Sequence, residues 1–443
     1  MLKKLKYSNT FLINILILLS VIVLFFKFFI FIDFYPMHDE LVIVERNTEL
    51  QNFLWRNYTS NHTLNSVFAV IIKNIFGYNL LYYRFFSFLC FIGILLLCKR
   101  TYPNTLIFSL LIVFILSSNV LTNYIWIFRG YYIWGFLTVL NFFLLKSFYQ
   151  NSFDNKNFKL LMLVNLILSC HALFVLYNVV PTMLYLLFII VNRKDKEKFL
   201  YLILWFFCPL IIFYFIIIIL EGFTILFWDN LNLKFLLNNF LLVIKNSFVP
   251  GFKEIFLNQH FDLYSTDKNI FFEVFKKLIN PPANMEPEYT FIFIYFVSFF
   301  ILISKIIFKK YNYLDFIFLG MILFFYLIDK NPEPRQHTGI VFYLIFYILD
   351  FVYYLNYKIK NEKMIGYSIY CISLFLLFNT SLNEKHIDTK KSIDKIKPLY
   401  LKYDCNDLND KLSDYEIWVL KNTHTFECNF YYDFQLNKNI LIN

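Results

Sequence analysis

Apolar runs long enough to cross a lipid bilayer recur along this chain and constrain it more than any other feature. The stretches 11–32, "FLINILILLSVIVLFFKFFIFI", and 201–220, "YLILWFFCPLIIFYFIIIIL", each reach the roughly 20 residues a transmembrane helix needs. In hydrocarbon every backbone N–H and C=O must be satisfied within the protein, so a spanning chain is either helical or a closed barrel. Barrel strands alternate apolar and polar residues. These runs are continuous, which leaves an all-α polytopic membrane protein. Only 16% of the 443 residues are charged, against about 25% in a soluble domain.

Eleven spans can be placed, at 11–32, 81–98, 104–121, 131–149, 158–176, 177–191, 199–220, 290–308, 314–328, 339–356 and 364–380. The first resembles a signal sequence behind "MLKKLKYSN". It is too long for an ordinary signal core and no small-residue cleavage site follows, so an uncleaved first span is expected. The stretch 62–76, "HTLNSVFAVIIKNIF", is too short and polar for a full span and reads as an interfacial or partly re-entrant helix.

The positive-inside rule orients this layout. With Lys3, Lys4 and Lys6 in the cytoplasm, five connections face inward, and every one is basic. They carry Lys99 and Arg100; Lys156 and Lys159; Arg193, Lys194, Lys196 and Lys198; Lys309 and Lys310; and Lys358, Lys360 and Lys363. Counting 62–76 as a span would invert all later loops and break the rule. The net charge of +10 therefore reads as membrane orientation and not as a nucleic-acid surface. A transmembrane domain over 1–380 is expected, with outer loops at 33–80 and 221–289, followed by a small outer region at 381–443. That region holds the strand-like pieces "YEIWVL" and "FECNFYYDFQL".

All seven histidines fall on or near the outer face in this arrangement. Most of the seven cysteines lie in apolar runs, where they act as small hydrophobes. Cys405 and Cys428, in the polar tail, are the two placed to pair. The 59 Phe and 33 Tyr accompany abundant Asn, Lys and Ile, which indicates a biased genome and not a ligand-stacking surface.

The outer face also collects ionisable residues. "FYPMHDELVIVERN" places His38, Asp39 and Glu40 just beyond the first span, ahead of a segment with apolar residues at helical spacing. In a bland reading these carboxylates solvate a loop or cap the helix that follows. Arg84 opens the second span, Arg129 sits between the third and fourth, and Arg335 and His337 lie between the ninth and tenth. A guanidinium near hydrocarbon is costly and usually paired, which marks a site unless the side chain snorkels to the interface. His38, Asp39, Glu40 and distant outward histidines could converge on a divalent metal, but no short His, Cys or carboxylate spacing of a metal site is present, so none is assigned. No P-loop or GxGxxG for a soluble nucleotide appears.

Four stretches in order resemble the C-type (GT-C) glycosyltransferases, especially the protein O-mannosyltransferases and the aminoarabinose transferase of lipid A. They are the acidic "HDE"; "NHTLNSVFAVIIKNIFGYNLLYYRFFSFLCFIGILLLCKR"; "SSNVLTNYIWIFRGYYIWGFLTVLNFFLL"; and "LSCHALFVLYNVVP". Together they cover about residues 30–180, and "PEPRQHTGIVFYLIF" resembles a later family loop more loosely. Thr63 and Leu64 stand where the family has Pro-Pro.

The resemblance implies a polyprenyl-phosphate sugar as donor, used on the extracytoplasmic side of a bacterial inner or plasma membrane. It makes Asp39 the general base for an acceptor hydroxyl, with Glu40 positioning the acceptor or holding Asp39, and inversion at the anomeric carbon. Arg129, Arg335 and His62, with Arg84 and His337 behind them, become the residues for the departing phosphate. His38 and His171 complete the candidates without an assigned role. The glycan, lipid or protein acceptor is left open. A many-spanning polysaccharide polymerase or ligase and a lipid-linked glycan flippase are the competing functions, with a purely structural membrane protein as the bland one. A flippase would more often show internal repeats and Gly/Pro-broken helices.

Overall fold

The computed structural model describes residues 63–77, 80–102, 105–151, 153–171, 175–213, 289–328, 337–359, 430–433 and 438–441, with isolated helical positions 15, 18 and 22. The described chain is predominantly helical. Its helices are α1 (Thr63–Phe76), α2 (Leu80–Thr101), α3 (Thr105–Leu116), α4 (Asn119–Trp126), α5 (Tyr131–Gln150), α6 (Asn155–Ser169), α7 (Leu176–Arg193), α8 (Lys196–Leu202), α9 (Tyr289–Ile307), α10 (Tyr313–Ile328) and α11 (Thr338–Ile359). A π-helical turn at Ile203–Phe207 continues α8. Two strands, β1 (Phe430–Asp433) and β2 (Lys438–Leu441), pair antiparallel with Phe430 opposite Leu441. β1 falls inside the second strand-like piece of the tail; the first piece lies outside the described residues.

Five of these helices are long and apolar enough to span a bilayer: Leu81–Thr101, Tyr131–Gln150, Leu176–Arg193, Tyr289–Ile307 and Thr338–Leu355. A sixth crossing is counted if the bent pair α3–α4 is one span. The chain is therefore built as an integral membrane protein of packed helices. The expected spans at 11–32 and 364–380 lie outside the described residues, apart from the isolated positions. Within the stretch 62–76, Thr63–Phe76 forms a helix of 14 residues, short of the roughly 20 a crossing takes.

Two expected spans need correction. The run 104–121 is not one helix, because it turns by 88° between α3 and α4 at Ser117 and Ser118. Hydroxyl groups satisfy the backbone that the bend frees. Ser118 Oγ accepts from Leu121 N–H at 3.1 Å, and Thr122 Oγ1 donates to the Ile115 carbonyl at 3.0 Å. Thr290 Oγ1, from α9, donates to the Ser117 carbonyl at 2.5 Å. In a low-dielectric interior such bonds are what make a break tolerable. The run 158–176 also ends early: α6 stops at Ser169, and His171 stands in the connection to α7.

α5 and α11 form the centre of the bundle. α5 buries residues all round its circumference, from Tyr131 to Phe148, against α2, α6 and α11. Phe142 and Phe143 of α5 meet Phe346 of α11 with ring centroids 6.1 and 5.1 Å apart. α7 and α10 pack closely because Gly320 lies against Pro181; a Cβ on Gly320 would sit 2.7 Å from the proline Cβ. Small residues at helix crossings are the usual means of close packing in membranes. Trp205, Ile211, Phe296, Phe300 and Phe308 remain exposed on the outer surface, as lipid-facing positions should.

One end of the bundle carries the basic connections. The end of α5 stacks on the start of α10 through Tyr149 and Tyr313, at 3.8 Å between centroids. Tyr149 also bonds Tyr185 in the second half of α7. Asp350 of α11 joins Lys146 of α5 and accepts from the Tyr102 hydroxyl, just past α2, at 3.0 Å. These contacts place Lys99, Arg100, Lys156, Lys159, Arg193 and Lys194 at a common end, as the loop charges require.

Candidate functional site

The opposite end is organised by the turn between α4 and α5. α4 closes at Trp126, Ile127 is extended, and Gly130 takes a left-handed φ of 74°. A side chain at 130 would strain this backbone, which accounts for glycine there. The Arg129 N–H donates to the Ile127 carbonyl at 3.0 Å, and the Gly130 carbonyl accepts from Trp134 N–H at 3.0 Å. The first turns of α2 fasten this turn from one side: Ser87 Oγ donates to the Ile127 carbonyl at 3.1 Å, and Tyr83 meets Phe128 edge to face at 5.3 Å.

Four sequence candidates are among the described residues, and all four lie at this end. Arg84 is buried between Tyr83 and Ser87, the two α2 residues flanking it that touch the turn. Arg129 is half-buried in the turn itself, its guanidinium 5.8 Å from the Tyr131 ring centre. His171 is fully buried where α6 ends and hydrogen-bonds the Gly130 backbone. Burial pushes the His171 pKa down to about 3, so it is a neutral imidazole near pH 7 and acts by hydrogen bonding, not as a cation. His337 is fully buried at the start of α11, with its Nδ1 2.9 Å from the Tyr295 hydroxyl of α9.

His337 is tied to the same end through Trp134. The indole Nε1 of Trp134 donates to Asn178 Oδ1 of α7 at 3.2 Å, and its ring lies directly over Gly339. A Cβ on Gly339 would come within 2.2 Å of that buried, hydrogen-bonded ring. Gly339→Ala should therefore destabilise the fold by about 1–3 kcal/mol, the usual cost of overpacking. A lowered unfolding midpoint in detergent checks this, and an unchanged midpoint would refute the packing.

Asn178, Trp134 and Tyr295 are site-supporting residues that the sequence reading did not pick out. An asparagine inside an apolar run is a signal for Asn178, diluted here by the abundance of asparagine in the chain. Asp39, Glu40, His38, His62 and Arg335 lie outside the described residues, as do Cys405 and Cys428. Among the described residues no group of three His, Cys, Asp or Glu could hold a metal ion.

Chemically, this end offers two guanidinium-bearing positions, two buried imidazoles and a fixed turn, with the strongly basic connections at the far end. No family model, curated protein or solved structure matches the chain.

Proposed function

We propose that the chain is a membrane glycosyltransferase of the GT-C type, with about eleven spans, that moves a sugar from a polyprenyl-phosphate donor to an acceptor hydroxyl on the extracytoplasmic side. The observation that carries this reading is the placement of Arg84, Arg129 and His171 at the α4–α5 turn, with His337 at the same end of the bundle, opposite the basic connections. Guanidinium groups close to hydrocarbon are costly unless they serve an anion, and a lipid phosphate arriving through the bilayer is such an anion.

In the reaction the acceptor oxygen attacks the anomeric carbon while Asp39 takes its proton. The bond from that carbon to the phosphate oxygen breaks, its electron pair stays on the phosphate, and polyprenyl phosphate leaves. Arg129 and Arg335, with Arg84, His62 and His337, stabilise the charge that develops on the leaving group; donors fixed in a dry site are far more effective than in water. Glu40 orients the acceptor or Asp39. His171 supports the Gly130 turn.

The full chain in proteoliposomes, given labelled polyprenyl-phosphate mannose, glucose and aminoarabinose in separate reactions with an envelope extract as acceptor, tests the reading. Release of polyprenyl phosphate together with label on the acceptor is the expected result for one donor. Translocation of the labelled lipid between leaflets without bond cleavage would assign the protein as a flippase, and no cleavage with any donor would overturn the proposal.

A further inference from the structure

α1 presents Asn65, Phe68, Ala69 and Ile72 at i, i+3, i+4 and i+7, the spacing of one helical face. That face is turned to the bundle. Ala69 and Ile72 pack with Tyr83 and Phe128, and Phe68 stacks on Phe86 at 4.2 Å. The other side of α1, with Ile71, Ile75 and Phe76, is exposed. Asn65 thus holds a core position at 0% exposure, yet neither its Nδ2 nor its Oδ1 has a hydrogen-bond partner among the described residues. Leaving such a group buried and unpaired is costly, and native proteins rarely do so without a reason. Thr138 and Ser298 each leave one hydroxyl unpaired, but a helical hydroxyl can turn to a carbonyl four residues back. A carboxamide with both ends open has no such easy outlet.

The location gives the reason. Tyr83 and Phe128, which pack against this face of α1, are the chain neighbours of Arg84 and Arg129. The chemistry of the open group narrows the ligand further. A phosphate has only acceptors to offer at neutral pH and would use the amide N–H while leaving Oδ1 unpaired. A pair of sugar hydroxyls satisfies both ends, one accepting from Nδ2 and the other donating to Oδ1.

We infer that Asn65 contacts the sugar of the lipid-linked donor, binding its hydroxyls through both ends of the carboxamide beside the Arg84 and Arg129 positions. The inference rests on the glycosyltransferase reading and adds a sugar-recognition residue to it.

The test measures binding, not turnover. Full-length wild type, Asn65→Leu and Asn65→Ala in nanodiscs are titrated with bare polyprenyl phosphate and with its mannosyl, glucosyl and aminoarabinosyl forms. The expected result is a wild type that prefers one sugar-bearing lipid to the bare phosphate. Both variants should lose about tenfold of that preference, the scale of one to two neutral hydrogen bonds, with affinity for the bare lipid unchanged. Asn65→Leu, which removes the buried unpaired amide while keeping its branched heavy-atom skeleton, should unfold at the same temperature as wild type or higher. Variants that keep the preference would show Asn65 idle and overturn the inference, leaving the glycosyltransferase reading intact. A wild type that binds every sugar form no better than the bare lipid would overturn it too, with the turnover assay then judging the reaction separately. No binding of any polyprenyl phosphate would sink both.

Discussion

Asp39→Asn should lower the rate of sugar transfer by about 10²–10⁴-fold, the range a positioned general base contributes, while leaving affinity for the lipid donor unchanged. The carboxamide keeps the shape of the carboxylate but cannot take the acceptor proton. In the proposed site other residues hold the phosphate end of the donor, so the loss should appear in single-turnover rate and not in donor binding. Arg129→Gln should show the complementary pattern, with weakened donor binding as well as slowed release of polyprenyl phosphate. Glu40→Gln should fall between wild type and Asp39→Asn, since a residue that orients the base or the acceptor is one step removed from the proton. Single-turnover transfer in proteoliposomes checks all three. Full activity in Asp39→Asn would end the general-base assignment and favour a polymerase or ligase, which needs no acidic pair directly after the first span.

What could be read from the sequence follows from the scale of each signal. Helices such as Tyr131–Gln150 and Tyr289–Ile307 are legible within a residue or so because hydrophobic burial is a cumulative signal over some twenty positions. The bend at Ser117 and Ser118 is not, because two serines are compatible with an unbroken membrane helix. The break depends on Thr122 and on Thr290, the latter 173 residues away, to take up the freed carbonyls.

The candidate site divides in the same way. Arg84, Arg129, His171 and His337 stand out as polar residues set in apolar sequence, and loop charge alone predicts a common end for them. Their supports do not stand out. Trp134 and Asn178 look like two more residues of an aromatic-rich, asparagine-rich chain until α5 and α7 are packed side by side. Asn65 becomes conspicuous only when its burial and lack of partners among the described residues are both known.

At the basic end, Lys305→Met should destabilise the protein by about 3–5 kcal/mol, the usual loss when one member of a buried ion pair is removed. Lys305 Nζ lies 2.9 Å from Asp315 Oδ1, with side-chain exposures of only 13% and 3%. The carboxylate is held from several directions. It accepts from the Tyr347 hydroxyl, and its second oxygen accepts from the Asn312 N–H at 2.5 Å. Asn312 Oδ1 in turn accepts from Leu314 N–H at 3.0 Å, so Asn312 caps the start of α10 while Asp315 reaches back to the Asn312 N–H, one half of a capping box. The helix dipole there also favours a negative charge. Asp315 therefore cannot swing out to water when its lysine is lost, and an uncompensated charge is left inside the bundle. Its neutral isostere relieves the problem: Lys305→Met combined with Asp315→Asn should recover most of the lost stability, because the amide oxygen still accepts from the Asn312 N–H. Chemical denaturation in mixed micelles, run as a double-mutant cycle, measures the coupling. Additive effects of the two substitutions would show that the pair is solvated and that the charge on Asp315 is carried by the helix start alone.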